Sequence, residues 1–389
     1  MVKITIFFIL ISILIFIYFG YYFLLIFISL FRKNAVNFQN NYFPFVSVII
    51  AAYNEENIID KKIKNTLKLD YPRDKLEIIV FSDASNDRTD EIVKEYQDKG
   101  VTLLRIKGRK GKTYCQNEAV GMAKGEIIVF SDANSIYRKD SLRKIIRNFS
   151  QPEVGCVVGE LKYIDKVIPE NREYEVGENI YWKYETSIKK LESKASSLVG
   201  ANGAIYAIRK ELYVPLPDYA ISDFIEPIRI FKKGYKVTYE PEAIAYESLS
   251  DDPIKIYRRR VRIVTRTVYS LFFDKSFFDL FNPFKYGFFS IQLFSHKILR
   301  WFTGLFMMLI FFTNIFLLKE GLIYHTLFLF QILFYLLAIF GFISETYITG
   351  KTLKLACIIF YFCLSSIAML AGIINVILGN EIITWETNR

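Results

Sequence analysis

Histidine and cysteine are scarce in this sequence of 389 residues, and each scarcity excludes a chemistry. Two histidines, His296 and His325, are too few to build a zinc site. The four cysteines, Cys115, Cys156, Cys357 and Cys363, show no metal-ligand spacing. A disulfide framework does not suit the reducing compartment expected for the middle of the chain. Charge is missing altogether from residues 4–31, a stretch longer than the ~20 apolar residues that cross a hydrocarbon core. It lacks the short apolar region and small-residue cleavage site of a secretory leader, so a retained anchor is expected over residues 1–31. No internal repeat or low-complexity segment interrupts the remainder.

What is abundant is apolar and aromatic: 52% and 17% of the residues, rich for a soluble domain. Three further apolar runs lie near 301–318, 322–343 and 355–378. Only Lys319 and Glu320 part the first two, which predicts a hairpin. Arg32 and Lys33 follow the first run, Lys297 and Arg300 precede the second, and Lys351 and Lys354 precede the fourth. Four crossings place these clusters on one side, and basic flanks favour the cytoplasm. The expectation is a multi-pass protein of the cell membrane: a cytosolic domain over 32–270, an interfacial segment over 271–300, and three spans over 301–389. The net charge of +10 is largely local, since residues 254–300 hold ten Lys and Arg against Asp274 and Asp279. Next to the spans, that block suits the headgroups of a lipid bilayer, and with no nucleic-acid motif beside it, no nucleic acid is expected as partner. Phe277, Phe278, Phe281, Phe284, Phe288 and Phe289, followed by His296, Lys297 and Arg300, predict rings at headgroup depth with cations snorkelling outward.

Between the spans, short β-branched runs alternate with charged helical stretches. Val46–Ala51, Leu76–Phe81, Val101–Ile106, Glu126–Phe130 and Val154–Val158 read as buried strands. Glu55–Leu69, Arg88–Lys99 and Tyr114–Ala123 read as the helices between them. Alternation of this kind implies βαβ units and an α/β fold with a mostly parallel sheet, whose ligands bind beyond the carboxyl ends of the strands. At those ends stand Ala52, Tyr53, Asn54 and Glu55, then Asp83 to Thr89, then Asp132, Ala133 and Asn134. One such turn is unremarkable, because Asp and Asn are ordinary turn formers and helix caps. Three on one sheet edge make a polar site.

The segments Val46–Glu56, Phe81–Thr89, Gly111–Ala119 and Val129–Tyr137 together resemble the successive signatures of the family 2 glycosyltransferases, whose membrane members include cellulose, chitin and hyaluronan synthases. The resemblance spans about residues 45–270. It implies a nucleotide-diphospho-sugar transferase (GT-A-like) fold, and an inverting transfer from a UDP-sugar donor to a polysaccharide or lipid-linked acceptor. By the same resemblance Ala52, Tyr53 and Glu55 line the base and ribose, and Asp83 accepts from the uracil ring. Lys112, in Gly-Arg-Lys-Gly-Lys-Thr, brings a flexible point charge to the donor; on its own it would read as a solvated loop lysine. Asp132 matches the first acid of the family's metal motif, for Mg²⁺ or Mn²⁺. Asn134 stands at the second acid: its amide oxygen can ligate but brings no charge, and it could equally cap a helix.

Leu198–Arg209 resembles the segment beside the acceptor, where small residues such as Gly203 permit close approach of a sugar. Ile221–Phe224 matches the segment of the catalytic base, which makes Asp223 the base and puts Ser222 on the acceptor side, where the family usually has Glu. Tyr257–Ile263 stands where processive synthases carry Q-x-x-R-W. Arg262 matches the Arg, Arg259 replaces the Gln, and Ile263 replaces the Trp, which speaks against a stacking platform for a growing polymer. Arg258, Arg262 and Arg266 recur at helical spacing on one face, fit either to clamp a diphosphate or to neutralise lipid phosphates. A donor contact is expected of Arg262 and lipid of Arg266. The competing reading is a non-catalytic nucleotide- or polymer-binding subunit of a synthase complex, and a four-span transporter is the third. Asp83, Asp132 and Asp223 all being present favours the enzyme, with export or synthase partner subunits left open.

Overall fold

In the computed structural model, which describes residues 1–32, 38–164, 174–248, 252–347 and 353–380, one sheet of eight strands organises the middle of the chain. Its strands are β1 (Val46–Ala52), β2 (Leu76–Asp83), β3 (Val101–Ile106), β4 (Ile127–Asp132), β5 (Ile136–Tyr137), β6 (Val154–Ile164), β7 (Tyr206–Arg209) and β8 (Lys236–Ser248). Their order is β3-β2-β1-β4-β7-β6-β8-β5. The β3-β2-β1-β4 half is wholly parallel, whereas β7 runs antiparallel to both β4 and β6. Every residue of β1 is buried. Val46, Val48 and Ile50 join Ile78 and Val80 on one face, while Ile49 and Ala51 join Ile79, Phe81, Ile128 and Phe130 on the other. Burial on both faces is why these strands read as unbroken apolar runs and not as alternations.

The expected strands are all present, and four of them, β1, β2, β4 and β6, reach further than the apolar runs do. β2 continues to Asp83 and β4 to Asp132, so each of these acids closes its strand. The expected helices trim to Ile59–Leu67, Thr89–Lys94 and Lys112–Met122. The last begins two residues early because Gly111, at φ +94°, turns the chain directly into it.

Four helices are long and apolar enough to cross a membrane: Val2–Leu30, Thr303–Glu320, Leu322–Thr346 and Lys354–Ile377. Of the basic flanks, Lys33 and Lys351 lie outside the described residues. The helix Pro253–Phe273 carries the arginines and lies along the last of the four. Gly372 makes this possible, since a Cβ there would meet Val264 Cβ at 2.8 Å and the Val261 carbonyl oxygen at 3.1 Å.

Residues 275–300 depart from the interfacial reading. Phe284 and Phe278 are exposed, but Phe277 and Phe289 are buried against the domain, and so are His296 and Arg300. The reason is a polar network with the helix Tyr174–Ala195. His296 Nδ1 lies 2.7 Å from Glu192 Oε1 and its Nε2 lies 2.8 Å from Glu185 Oε1, so each ring nitrogen shares a hydrogen bond with a carboxyl group. Arg300 Nη1 donates to Glu185 Oε2 at 2.8 Å, and Tyr21 of the first apolar helix donates to Glu192 Oε1 at 2.5 Å. These cations cannot snorkel, because two buried carboxylates hold them.

Removing one partner of a buried charge pair leaves the other uncompensated, at a typical cost of about 3–5 kcal/mol. His296→Ala is therefore expected to lower the thermal midpoint of the detergent-solubilised protein by several degrees, whereas Lys94→Ala, at an exposed position on another helix, leaves it within a degree or two. Equal midpoints for the two variants would remove the network as a structural tie.

Candidate active site

The recess forms where β1, β2 and β4 end. Asn54 (φ +50°) and Ala84 (φ +57°) both adopt left-handed backbone without being glycine, a strain of the sort that surrounding bonds must hold. Those bonds lace the first turn to the second. Asn54 N donates to Ser85 Oγ (3.1 Å), Asn86 N to Asn54 Oδ1 (2.9 Å), and Glu55 N to Thr89 Oγ1 (2.7 Å). Asp83 is wholly buried and accepts from the backbone N–H groups of Lys110 (2.8 Å) and Gly111 (3.1 Å). Arg109 approaches the same carboxylate at 3.4 Å, and its guanidinium lies 3.2 Å above the ring centre of Tyr53. Asp83 thus anchors the glycine loop to β2, while Ala52, Tyr53 and Glu55 stand beside it on the first turn.

Lys112, the first residue of its helix, forms an ion pair with Asp132 at the end of β4. Gly203 looks onto both. A Cβ built on it would lie 2.9 Å from Lys112 Nζ, 2.9 Å from Asp132 Oδ2 and 3.5 Å from Asp223 Oδ2. The three side chains therefore surround a space that any larger residue at 203 would fill. Asp223 opens the helix Ser222–Lys232. Desolvation raises its carboxyl, Asp132 raises it further, and Lys112, Arg266 and Lys189 pull the other way. Among the described residues no three His, Cys, Asp or Glu side chains gather to hold a metal by themselves. Asp132 with the half-buried Asn134 still fits a hard divalent ion, which binds through one or two carboxylates and completes its shell on substrate phosphates.

Two expected residues face elsewhere. Ser222, expected on the acceptor side, is buried and donates to Gln116 Oε1 at 2.8 Å, so it braces the helix that carries Asp223 from behind. Arg266, expected on lipid, is buried and donates to Thr113 Oγ1 at 3.0 Å and to the carbonyl oxygens of Tyr219 and Ala220. These oxygens, with the Asp218 carbonyl oxygen at 3.3 Å, offer a cluster of buried acceptors that draws it inward. Arg259 faces Glu247, whose carboxyl burial raises and Arg259 opposes; Arg262 is half-buried beside Arg266. Glu247 on β8 escaped the sequence reading because no turn marks it, yet it is buried and accepts from Ser135 Oγ on the Asp132 turn. Glu226, one turn past Asp223, was missed too. It is wholly buried and neither carboxyl oxygen has a hydrogen-bond partner among the described residues.

A curled mixed sheet with acids at its parallel strand ends is a GT-A-like fold. The same fold is seen in the mannosyltransferase PcManGT of Pyrobaculum calidifontis, solved with GDP-Man and Mn²⁺, at a TM-score of 0.71 and 20% identity over 97% of this chain and 100% of that one. Residues 47–213 of this chain match the model of Glycosyl transferase family 2. Its relatives include the probable glycosyltransferase YdaM of Bacillus subtilis, 29% identical over 60% of this chain and 58% of the relative. The beta-monoglucosyldiacylglycerol synthase of Nostoc is 35% identical over 29% of this chain and 25% of the relative. The poly-beta-1,6-N-acetyl-D-glucosamine synthase of Staphylococcus aureus is 24% identical over 56% and 53%. The matched stretches span less than two thirds of each of these relatives.

Glu226 makes stability depend on pH. Burial pushes its carboxyl from 4.5 up to about 8, against Arg229 and Lys233. Between those values the folded protein holds a proton that the unfolded chain has released, so stability falls as pH rises, by up to about 1.4 kcal/mol per pH unit. Thermal melts from about pH 5 to about pH 8 should show this decline, and Glu226→Gln, which cannot ionise, should flatten it. A variant as pH-sensitive as the parent would exclude the assignment.

Proposed function

We propose that this protein is a membrane-embedded inverting glycosyltransferase. It moves a sugar from a UDP-sugar to a polysaccharide or lipid-linked acceptor at the cytosolic face. The observation that carries this reading is the convergence of Lys112, Asp132 and Asp223 on the space beside Gly203. A transfer needs a cation near the departing diphosphate and a carboxylate for the attacking hydroxyl, and both stand at one cavity wall. The names of the Nostoc and Staphylococcus relatives support lipid and polysaccharide acceptors respectively. The basic flanks support a cytosolic domain.

In this mechanism the donor base and ribose lie along Tyr53 and Glu55, beside the loop that the buried Asp83 anchors; Ala52 and Asp83 are both wholly buried, so they shape this wall from beneath and not by side-chain contact. The acceptor hydroxyl enters past Gly203, and Asp223 takes its proton as that oxygen attacks the anomeric carbon. The bond from that carbon to the diphosphate oxygen breaks, inverting the centre, and the nucleoside diphosphate leaves against Lys112, with Arg259 and Arg262 nearby. Desolvation, which raises the Asp223 carboxyl, makes it the stronger base. Asp132 and Asn134 would hold Mg²⁺ or Mn²⁺, which when bound supplies charge neutralisation at the diphosphate.

Asp223→Asn keeps the size and most hydrogen bonds of the base but cannot take a proton. Turnover should fall by about 10² to 10⁴ while UDP-sugar binding on the same purified protein persists. Turnover within about threefold of the parent would remove Asp223 from the mechanism. Binding by the parent with no transfer to any acceptor would support the non-catalytic subunit instead.

Metal removal tests the Asp132 turn. Excess chelator should abolish transfer and Mn²⁺ or Mg²⁺ should restore it. Asp132→Ala should stay inactive in either metal, and Asn134→Ala should lose less because it removes no charge. Full transfer in chelator would eliminate the metal role.

A further inference from the structure

Lys62 lies on the helix Ile59–Leu67, behind the recess, and is wholly buried. Lysine is almost never found fully buried unless it is paired, yet among the described residues no carboxylate oxygen stands within ion-pair distance of it. Its ammonium instead donates to Ser131 Oγ at 2.7 Å and to the Ser135 carbonyl oxygen at 2.5 Å, and it rests 3.9 Å from the centre of the Tyr137 ring. Ser131 and Ser135 are the two ends of the turn that presents Asp132 and Asn134.

The bonds continue from there to the acceptor side. Ser131 Oγ donates to the Ala204 carbonyl oxygen at 3.2 Å, and Tyr137 Oη donates to that same oxygen at 3.0 Å. Ala204 follows Gly203, the residue against which Lys112, Asp132 and Asp223 converge. One buried ammonium therefore holds both ends of the acidic turn and, through Ser131, the loop that faces it. Lys62 makes no hydrogen bond to the proposed substrate positions, so its action on the reaction passes through these groups and through its charge, which Asp132 and Glu247 feel.

We propose that Lys62 is a positioning residue that locks the Asp132 turn to the Gly203 loop, setting the carboxylate where it meets a divalent cation and the donor diphosphate. This rests on the reading of Asp132 given above. Buried hydrogen bonds to a charged donor are the stronger kind, and a catalytic constellation tolerates only a few tenths of an ångström of play.

The test is Lys62→Met, which keeps the length and removes the charge and all donors. Binding of UDP to the purified protein is titrated against Mn²⁺ by calorimetry, and the Mn²⁺ dependence of transfer is measured alongside. The Mn²⁺ concentration for half-maximal UDP binding should rise about tenfold or more, with UDP binding in chelator unchanged. A lowered melting temperature with an unshifted Mn²⁺ requirement would reduce Lys62 to a purely structural role and overturn the proposal. Ser131→Ala, which keeps the lysine and removes its relay, guards against misfolding of the first variant and should shift the requirement in the same direction by about threefold. No shift in Ser131→Ala, where Lys62→Met does not fold, also overturns it. Should the parent bind UDP and transfer sugar without any metal dependence, the reading of Asp132 falls and takes this inference with it. Metal dependence in the parent with no shift in the variants sinks the inference alone.

Discussion

Parallel strands end together, and the site depends on that constraint. In the β3-β2-β1-β4 ladder, Ala52 pairs with Ser82 and Ala51 with Asp132, so Asp83 and Asp132 leave the sheet on either side of the β1 end. Backbone groups that leave a ladder need new partners. Ser85, Thr89, Asp87 and Glu56 supply them, tying the first turn to the second across β1 and β2. The left-handed Asn54 and Ala84 are affordable only inside such a net, where strain of about 1–3 kcal/mol per residue is held by the bonds around it.

Crowding acids at one edge creates the second requirement, a matching set of cations from other elements. Arg109 comes from the glycine loop, Lys112 from the helix it opens, Lys62 from the helix behind, and Arg259 and Arg266 from the helix that leads to the membrane. In a partly dehydrated recess these charges act over several ångströms with little screening. The result is a pocket wall in which carboxylates and cations alternate. That suits an anionic diphosphate on one side and a hydroxyl awaiting deprotonation on the other.

The arginine helix joins this pocket to the apolar helices. Val264 meets Gly372 of the last apolar helix, and Thr265 donates to the Gly372 carbonyl oxygen at 3.2 Å, while Arg266 turns into the domain. On the other flank Tyr21, Glu192, His296, Glu185 and Arg300 connect the first apolar helix to the domain through buried charge. The α/β domain is therefore seated on the apolar helices by both apolar packing and a buried polar tie. A surface attraction to headgroups is not needed to hold it there.

The sequence by itself determined the sheet's parallel half, the four apolar helices and the acids at the strand ends. Each of these is written in local pattern: continuous β-branched runs, long uncharged stretches, and Asx residues just past a strand. It also contained a sign of Lys62, which occupies an apolar position among Ile59, Ile63 and Thr66 on the buried face of its helix. Only the tertiary structure decided which way the long side chains turn. Arg266 reads as a lipid-facing arginine by helical spacing, and a cluster of oxygen acceptors in the domain draws it inward. Ser222 reads as acceptor-facing by position, and Gln116 pulls it behind Asp223. Glu247 and His296 carry no local signal at all, because their partners lie more than a hundred residues away in sequence. Periodicity restricts what is near along the chain, whereas a buried charge finds its place through whichever opposite charge or dipole the packed fold brings beside it.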